Sequence, residues 1–277
     1  MHYIPWDEWI VLALFFVGVG GGGFFYAYLL WMQNERRLSG SLGTAFIVMP
    51  FVTLVGLLIL LLDLGRPERF LNALFHFNPH SILNLGVFVQ GAFITTAFTI
   101  SLLIYLHKTQ SKLFVFLMHL GMFLALLVCL YHGLLPVSMP RDGWSGVLIF
   151  VMFFSSLLSG YALVEYITHK ASGTFHLIAL GSFWSVFALW IYTLSIGTLG
   201  ERRVLEFLFF EWSLWGVLSM ALLLSAFVTS LLLLRRFFFK KSLSRSLLLG
   251  GVTVEFFGAF MLKYGVILAG QLSFLTR

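Results

Sequence analysis

The sequence contains very little cysteine, since only Cys129 among its 277 residues carries a thiol. An iron–sulfur cluster needs about four thiolates, so no such cluster is expected from this chain alone. An internal disulfide and a cysteine-rich structural zinc site are excluded for the same reason. Charged residues are also scarce, at 10 % of the chain, where a soluble domain has about 25 %. With 60 % hydrophobic residues, the composition excludes a soluble globular protein and a disordered chain.

The first residues contain no lysine or arginine before the first apolar run begins at Trp9, whereas Asp7 and Glu8 are acidic. A secretory signal peptide begins with basic residues, so this run is interpreted as a retained membrane span. The chain as a whole has a net charge of +6. In a protein this apolar, we interpret that charge as a signal of membrane orientation and expect no nucleic-acid partner.

The sequence contains eight apolar stretches, each about 20 residues or longer, as a bilayer-spanning helix requires. The loops are short, so residues 1–277 are expected to form one membrane domain, an all-α polytopic bundle of eight transmembrane helices. The predicted spans are Trp9–Met32, Thr44–Leu62, Ser81–Leu106, Leu113–Leu135, Gly146–Thr168, Phe175–Gly197, Trp212–Leu234 and Leu247–Gly270.

The distribution of lysine and arginine predicts how these spans are oriented. Ten of these residues fall in the loops after spans 1, 3, 5 and 7, and six fall on the side that holds both termini. Because cytoplasmic loops are enriched in basic residues, both termini are predicted to lie outside the cytoplasm. Most of the bias comes from the basic cluster at Arg235–Arg245.

The span count places most unusual polar residues on the terminal side. Span 2 ends there at Asp63, which is followed by Gly65, Arg66 and Pro67, a typical helix stop. One interpretation is a solvated helix end in which Asp63 and Arg66 neutralise each other. The other is a functional site, in which Asp63 accepts a proton from a substrate and Arg66 gates this proton transfer. Ionisable groups near the membrane are often functional.

Tyr131 and His132 lie near the terminal-side end of span 4. A tyrosine at this depth is an interfacial anchor or a hydrogen-bond donor to a ligand carbonyl. Neighbours on a helix point about 100° apart, so both residues line one pocket only if the helix ends here. Pro136 predicts that it ends soon afterwards.

Span 1 carries glycine at position 18 and at four consecutive positions, Gly20, Gly21, Gly22 and Gly23. Each helical glycine costs about 1 kcal/mol relative to alanine. The compensation is either close packing of helices or space for a flat ligand against the backbone.

Glu255 is the most deeply embedded acid, about eight residues into span 8. It is either a proton relay or a neutral acid hydrogen-bonded within the bundle. Lys263 follows two turns later and about 80° around the helix, so the two residues are not expected to pair directly, although both are predicted to lie on a proton path with Asp63. His119 and His176, at the cytoplasmic ends of spans 4 and 6, could ligate a haem, although ordinary buried or interfacial histidines are commoner.

Four stretches together resemble the polysulfide reductase membrane subunit, or NrfD-like, family, and the resemblance covers essentially the whole chain. The most specific is the Asp-Leu-Gly-Arg-Pro-Glu-Arg-Phe motif after span 2. The four, in order, are Gly18–Gly23, Asp63–Phe70, the Tyr131-x-Gly133-Leu134-Leu135 sequence followed by Pro140 and Trp144, and Gly258–Gln271.

The resemblance implies a quinone-binding subunit of a respiratory oxidoreductase in a prokaryotic cytoplasmic membrane, with menaquinone or another quinone as cofactor. It implies no haem or cluster in this chain. Electrons would pass to a four-cluster ferredoxin-like iron–sulfur subunit and a molybdopterin catalytic subunit outside the cytoplasm. By the same resemblance, Tyr131 hydrogen-bonds a quinone oxygen, with Asp63 and Arg66 handling protons beside it.

The chain departs from the family pattern at two places. Some members carry Asn and His in span 1 as quinone ligands, where this chain has glycines, Phe and Tyr26, so the second quinone oxygen has no evident partner other than His132 or a water. Lys263 stands where arginine is frequent, which keeps the charge and loses the planar fork. A transporter would require mid-membrane charges and broken helices. A purely structural anchor would lack the quinone site.

Overall fold

The computed structural model describes residues 8–63, 75–138, 146–168, 202, 250–261, 263, 264 and 267. Within these ranges the chain is helical and contains no strand. Among the described residues, five helices are long and apolar enough to cross a membrane. They are α1 (Glu8–Gln33), α2 (Gly40–Asp63), α3 (Ile82–Tyr105), α4 (Lys112–Val137) and α5 (Val147–Thr168). A shorter apolar helix, Gly250–Met261, and the helical residues Lys263, Tyr264 and Ile267 are called the C-terminal helix below.

The five long helices confirm the first five predicted spans, and each boundary agrees to within four residues. The C-terminal helix lies inside the predicted span 8. The predicted spans at 175–197 and 212–234 lie outside the described residues, so the total of eight stays a prediction.

Helix α1 forms the centre of the bundle and contacts α2, α4 and α5. It runs antiparallel to α2, because Gly20 faces Thr53 while Gly23 faces Met49. It runs parallel to α5, where Gly18 faces Ser156 and Gly23 faces Gly160.

The C-terminal helix is antiparallel to α5. Lys263 bonds to Ser156 near the start of α5, whereas Glu255 interacts with Glu165 near its end. The C-terminal helix therefore also runs opposite to α1.

Aromatic side chains pack the interior of the bundle. Phe24 of α1 meets Phe46 and Phe93 edge to face, with ring centroids 5.2 and 5.5 Å apart. Phe15 joins α1 to the C-terminal helix through Phe256 and Phe260, at 5.0 and 5.1 Å. Each such pair contributes about 0.5–1.5 kcal/mol beyond the area it buries. Exposed apolar residues form the outer surface, as a lipid environment requires, and include Phe51, Leu58, Leu102, Phe116, Phe123 and Phe150.

Candidate functional site

Tyr131 lies in the last two turns of α4, in the half of the bundle where α1 begins. Its side chain is 7 % exposed and packs with Val11 and Leu14 of α1. Gly86 of α3 lies so close to the phenol that a Cβ there would collide with the ring and the hydroxyl. The hydroxyl has no hydrogen-bond partner among the described residues. Tyr131 is therefore a phenol held inside the bundle whose hydroxyl is not hydrogen-bonded by any described residue.

His132 is completely buried, and its ring centroid lies 6.3 Å from that of Tyr131. Neither ring nitrogen has a hydrogen-bond partner in the described structure. An imidazole has hydrogen-bonding capacity at both nitrogens, and a buried polar group without a partner costs about 1–3 kcal/mol. His132 therefore has the chemistry to hold a polar ligand atom.

The two neighbours are both buried although α4 does not end at them. The sequence predicted that both residues line one pocket only if the helix ends here and that Pro136 ends it soon afterwards, and α4 does end at Val137, one residue after Pro136. The physical reason for the burial of both residues is that α4 packs against three helices, α1, α3 and α5. Side chains about 100° apart on such a helix both point into protein.

Lys263 is completely buried, on the same side of the bundle as Tyr131. Its Nζ donates to Ser156 Oγ at 2.8 Å and to the carbonyl oxygen of Leu14 at 3.4 Å. It also lies 5.9 Å from the centroid of the Phe15 ring. The Ser156 hydroxyl donates in turn to the carbonyl of Met152 at 2.8 Å, so its oxygen is available to accept from Lys263. Lys263 has no carboxylate partner among the described residues.

Gly18 makes room for this lysine. A Cβ at position 18 would collide with Lys263 Nζ and would lie 2.6 Å from Ser156 Oγ. The absence of a side chain on α1 is thus what allows an ammonium from the C-terminal helix to reach α5.

The four consecutive glycines of α1 are packed against protein on all sides. Gly20 faces Thr53, Gly22 faces the carbonyl of Ser156 and Gly23 faces Met49. A Cβ on Gly21 would lie 3.2 Å from both the carbonyl oxygen of Ala125 and the sulfur of Cys129. Of the two interpretations left open by the sequence, this geometry favours helix packing. A quinone-binding role for Gly20–Gly23 stays a prediction that the packing does not require.

Glu255 lies at the opposite end of the bundle from Tyr131, and Glu165 of α5 interacts with it electrostatically. The two side chains are only 4 % and 3 % exposed. Glu255 Oε2 has no hydrogen-bond partner in the described structure. Lys263 is bonded elsewhere, which confirms that Glu255 and Lys263 do not pair directly.

The remaining predicted residues are only partly described. Asp63 is the last residue of α2, at the end of the bundle where α1 begins, and its side chain lies outside the description. Arg66 and the rest of its motif also lie outside the described residues, as does His176. His119 has Nδ1 2.7 Å from the carbonyl of Val115, and its ring packs against Tyr28 and Trp31. No group of three or more potential metal ligands occurs in the part of the chain that the structure describes.

Sequence reasoning missed three residues that shape these sites. Glu165 could have been found by the criterion that identified Glu255, because it is an acid inside an apolar span. Gly86 and Ser156 gave no such signal, since small residues within spans are common. Their importance depends on which helices become neighbours.

The bundle and its buried polar groups define a polytopic helical membrane protein. The sequence matches the family described as polysulphide reductase, NrfD, over residues 1–275. The chain therefore belongs to the NrfD family, which confirms the resemblance seen in its motifs.

Two curated relatives match shorter segments. A selenate reductase subunit of Mesobacillus selenatarsenatis is 34 % identical over 82 residues, which are 30 % of this chain and 19 % of that protein. Protein NrfD of Escherichia coli K12 is 36 % identical over 87 residues, which are 30 % of this chain and 27 % of that protein. The matched segments thus span about a fifth to a quarter of these relatives.

Proposed function

We propose that this chain is the quinone-reacting membrane subunit of a respiratory oxidoreductase complex. It would exchange electrons and protons between menaquinone, or another quinone, and an iron–sulfur partner subunit. The observation that carries the proposal is the adjacent pair Tyr131 and His132, buried with polar atoms that no described residue satisfies.

These residues fit a quinone headgroup. Such a headgroup is flat and apolar with a carbonyl at each end, and it supplies two-electron, two-proton redox chemistry when bound. The Tyr131 hydroxyl can donate to one carbonyl, and a ring nitrogen of His132 can bond a headgroup oxygen or hydroxyl. The apolar wall beside them consists of Val11, Leu14 and Leu135.

Protons from the site would pass to Asp63, at the end of α2 on the same side of the bundle, with Arg66 beside it as the sequence predicts. Net proton pumping would need a second proton path, leading from the cytoplasm. We assign it to Glu255, and Glu165 supplies a second buried carboxyl for the same step.

The partners we propose are a four-cluster ferredoxin-like subunit and a molybdopterin catalytic subunit, in line with the relative named as part of a selenate reductase. The complex would lie in a prokaryotic cytoplasmic membrane with both termini of this chain outside. A docked subunit at that end of the bundle would be close to Tyr131.

The Tyr131→Phe variant of the intact complex tests the proposal. Loss of one hydrogen bond of about 0.5–1.5 kcal/mol lowers quinol-dependent turnover by up to about tenfold. Activity of the soluble subunits with an artificial electron donor should be unchanged. Tyr105→Phe is the matched control, because Tyr105 is 76 % exposed at the end of α3. Equal quinol turnover in both variants would instead favour a purely structural anchor.

A transporter remains the other alternative, and it makes a different prediction. Purified chain in vesicles would then move a solute or ion without any redox partner. Transport by this chain alone, together with full quinol activity in Tyr131→Phe, would overturn the proposal.

A further inference from the structure

A protonated Lys263 has one hydrogen-bond donor that no described residue uses. An ammonium carries three N–H groups, and the Ser156 hydroxyl and the Leu14 carbonyl accept two of them. Burying an ammonium without a carboxylate beside it is costly, because only hydrogen bonds and the contact with the Phe15 ring compensate for the lost hydration. A third acceptor is therefore expected at this nitrogen.

The position of Lys263 links it to Tyr131. Leu14, whose carbonyl accepts from Lys263, packs in the same cluster as Tyr131. Met152, whose carbonyl fixes the Ser156 hydroxyl, belongs to that cluster too. Ile267, one turn beyond Lys263 on the C-terminal helix, also packs there. Three separate contacts thus bring the ammonium to the edge of the Tyr131 cluster.

His132 is linked to both Tyr131 and Lys263. It follows Tyr131 in the chain, and it interacts electrostatically with Lys263. The lysine and the imidazole are not hydrogen-bonded to each other among the described contacts. One acceptor oxygen with two lone pairs can take an N–H from each, and would satisfy both groups at once.

We propose that Lys263 and His132 together hold the headgroup oxygen opposite the one bound by Tyr131. This inference rests on the proposed function and supplies the missing partner for the second quinone oxygen. Span 1 contributes no side-chain ligand in this arrangement. It contributes the bare backbone at Gly18, which leaves the space that Lys263 Nζ occupies, and the Leu14 carbonyl that orients it.

Binding of a fluorescent hydroxyquinoline N-oxide, a quinol analogue, to the purified complex provides the first measurement. Lys263→Met should weaken binding by about tenfold or more, equivalent to about 1.4 kcal/mol. Lys263→Arg retains a cationic hydrogen-bond donor and should weaken binding of the analogue less. Lys108→Met, which removes an exposed lysine from the loop after α3, is the control and should bind as the unmodified complex does.

A second pair of variants moves the ammonium without removing it. Gly18→Ala introduces a Cβ that collides with Lys263 Nζ, whereas Gly91→Ala in α3 introduces one with no atom within 4 Å. Gly18→Ala should raise the KM for quinol, and Gly91→Ala should not. This comparison still tests the inference if the complex carrying Lys263→Met fails to assemble.

Infrared difference spectra with carbonyl-labelled menaquinone identify which oxygen each group binds. Tyr131→Phe should shift one carbonyl band, and Lys263→Met should shift the other. If only the Tyr131 variant changes analogue binding and spectra, the Lys263 inference is wrong and the proposed function stands. A bound water in place of the headgroup oxygen would leave both carbonyl bands unmoved in Lys263→Met and would also refute the inference. If the unmodified complex binds neither analogue nor quinone, the proposed function itself fails.

Discussion

Replacing Gly22 by alanine should force α1 and α5 apart, because the new Cβ would meet backbone rather than a movable side chain. It would collide with the carbonyl oxygen of Ser156 and lie 2.8 Å from its carbonyl carbon and 3.1 Å from the Cα of Leu157. Overpacking costs about 1–3 kcal/mol, and the upper end applies where backbone must move. Alanine recovers up to about 1 kcal/mol of helix propensity. The net loss is about 2 kcal/mol.

Gly91→Ala provides the reference for this measurement. It shares the gain in helix propensity but adds a Cβ in open space, so the difference between the two variants isolates the cost of packing, about 3 kcal/mol. Thermal unfolding of the detergent-solubilised protein should show Gly22→Ala melting several degrees below Gly91→Ala. Quinol turnover should fall in Gly22→Ala as well, because Ser156 also holds Lys263. Equal melting temperatures in the two variants would refute the packing role of the glycine run.

Three further outcomes are expected. Gly86→Ala should raise the KM for quinol several-fold and change kcat less, because its Cβ displaces the Tyr131 phenol; an unchanged KM in steady-state assays would contradict this. Glu255→Gln and Glu165→Gln should each abolish any proton translocation by reconstituted complex while quinol turnover persists, and unchanged translocation would remove both residues from the path. Trp31→Phe should lower the melting temperature by several degrees, because it removes the 2.8 Å hydrogen bond from the indole nitrogen to the Arg36 carbonyl and leaves a cavity where the buried indole packed.

The sequence predicted the helices well because lipid imposes a simple rule on length and composition. Apolar runs of about 20 residues and their short loops located five spans to within four residues. The burial of Glu255 and the separation of Glu255 from Lys263 followed from position and helical geometry alone.

The contacts between helices could not be predicted in the same way. Nothing in the local sequence of Lys263 indicates that its partners are a serine in α5 and a carbonyl in α1, 107 and 249 residues away. Gly86 became relevant only because α3 packs against Tyr131. Lipid-exposed and buried faces of these spans are both apolar, so hydrophobic periodicity does not reveal which face meets a neighbour.

The bond between Leu14 and Lys263 also sets an order of assembly. Its two residues are 249 positions apart, so during synthesis this contact forms only after the C-terminal helix has been made. Until then, the Leu14 carbonyl lacks the hydrogen bond from Lys263. The space beside Gly18 is also not yet occupied by the Lys263 side chain. The packing around Tyr131 is therefore completed only when the C-terminal helix has inserted, so the proposed quinone site forms late in synthesis.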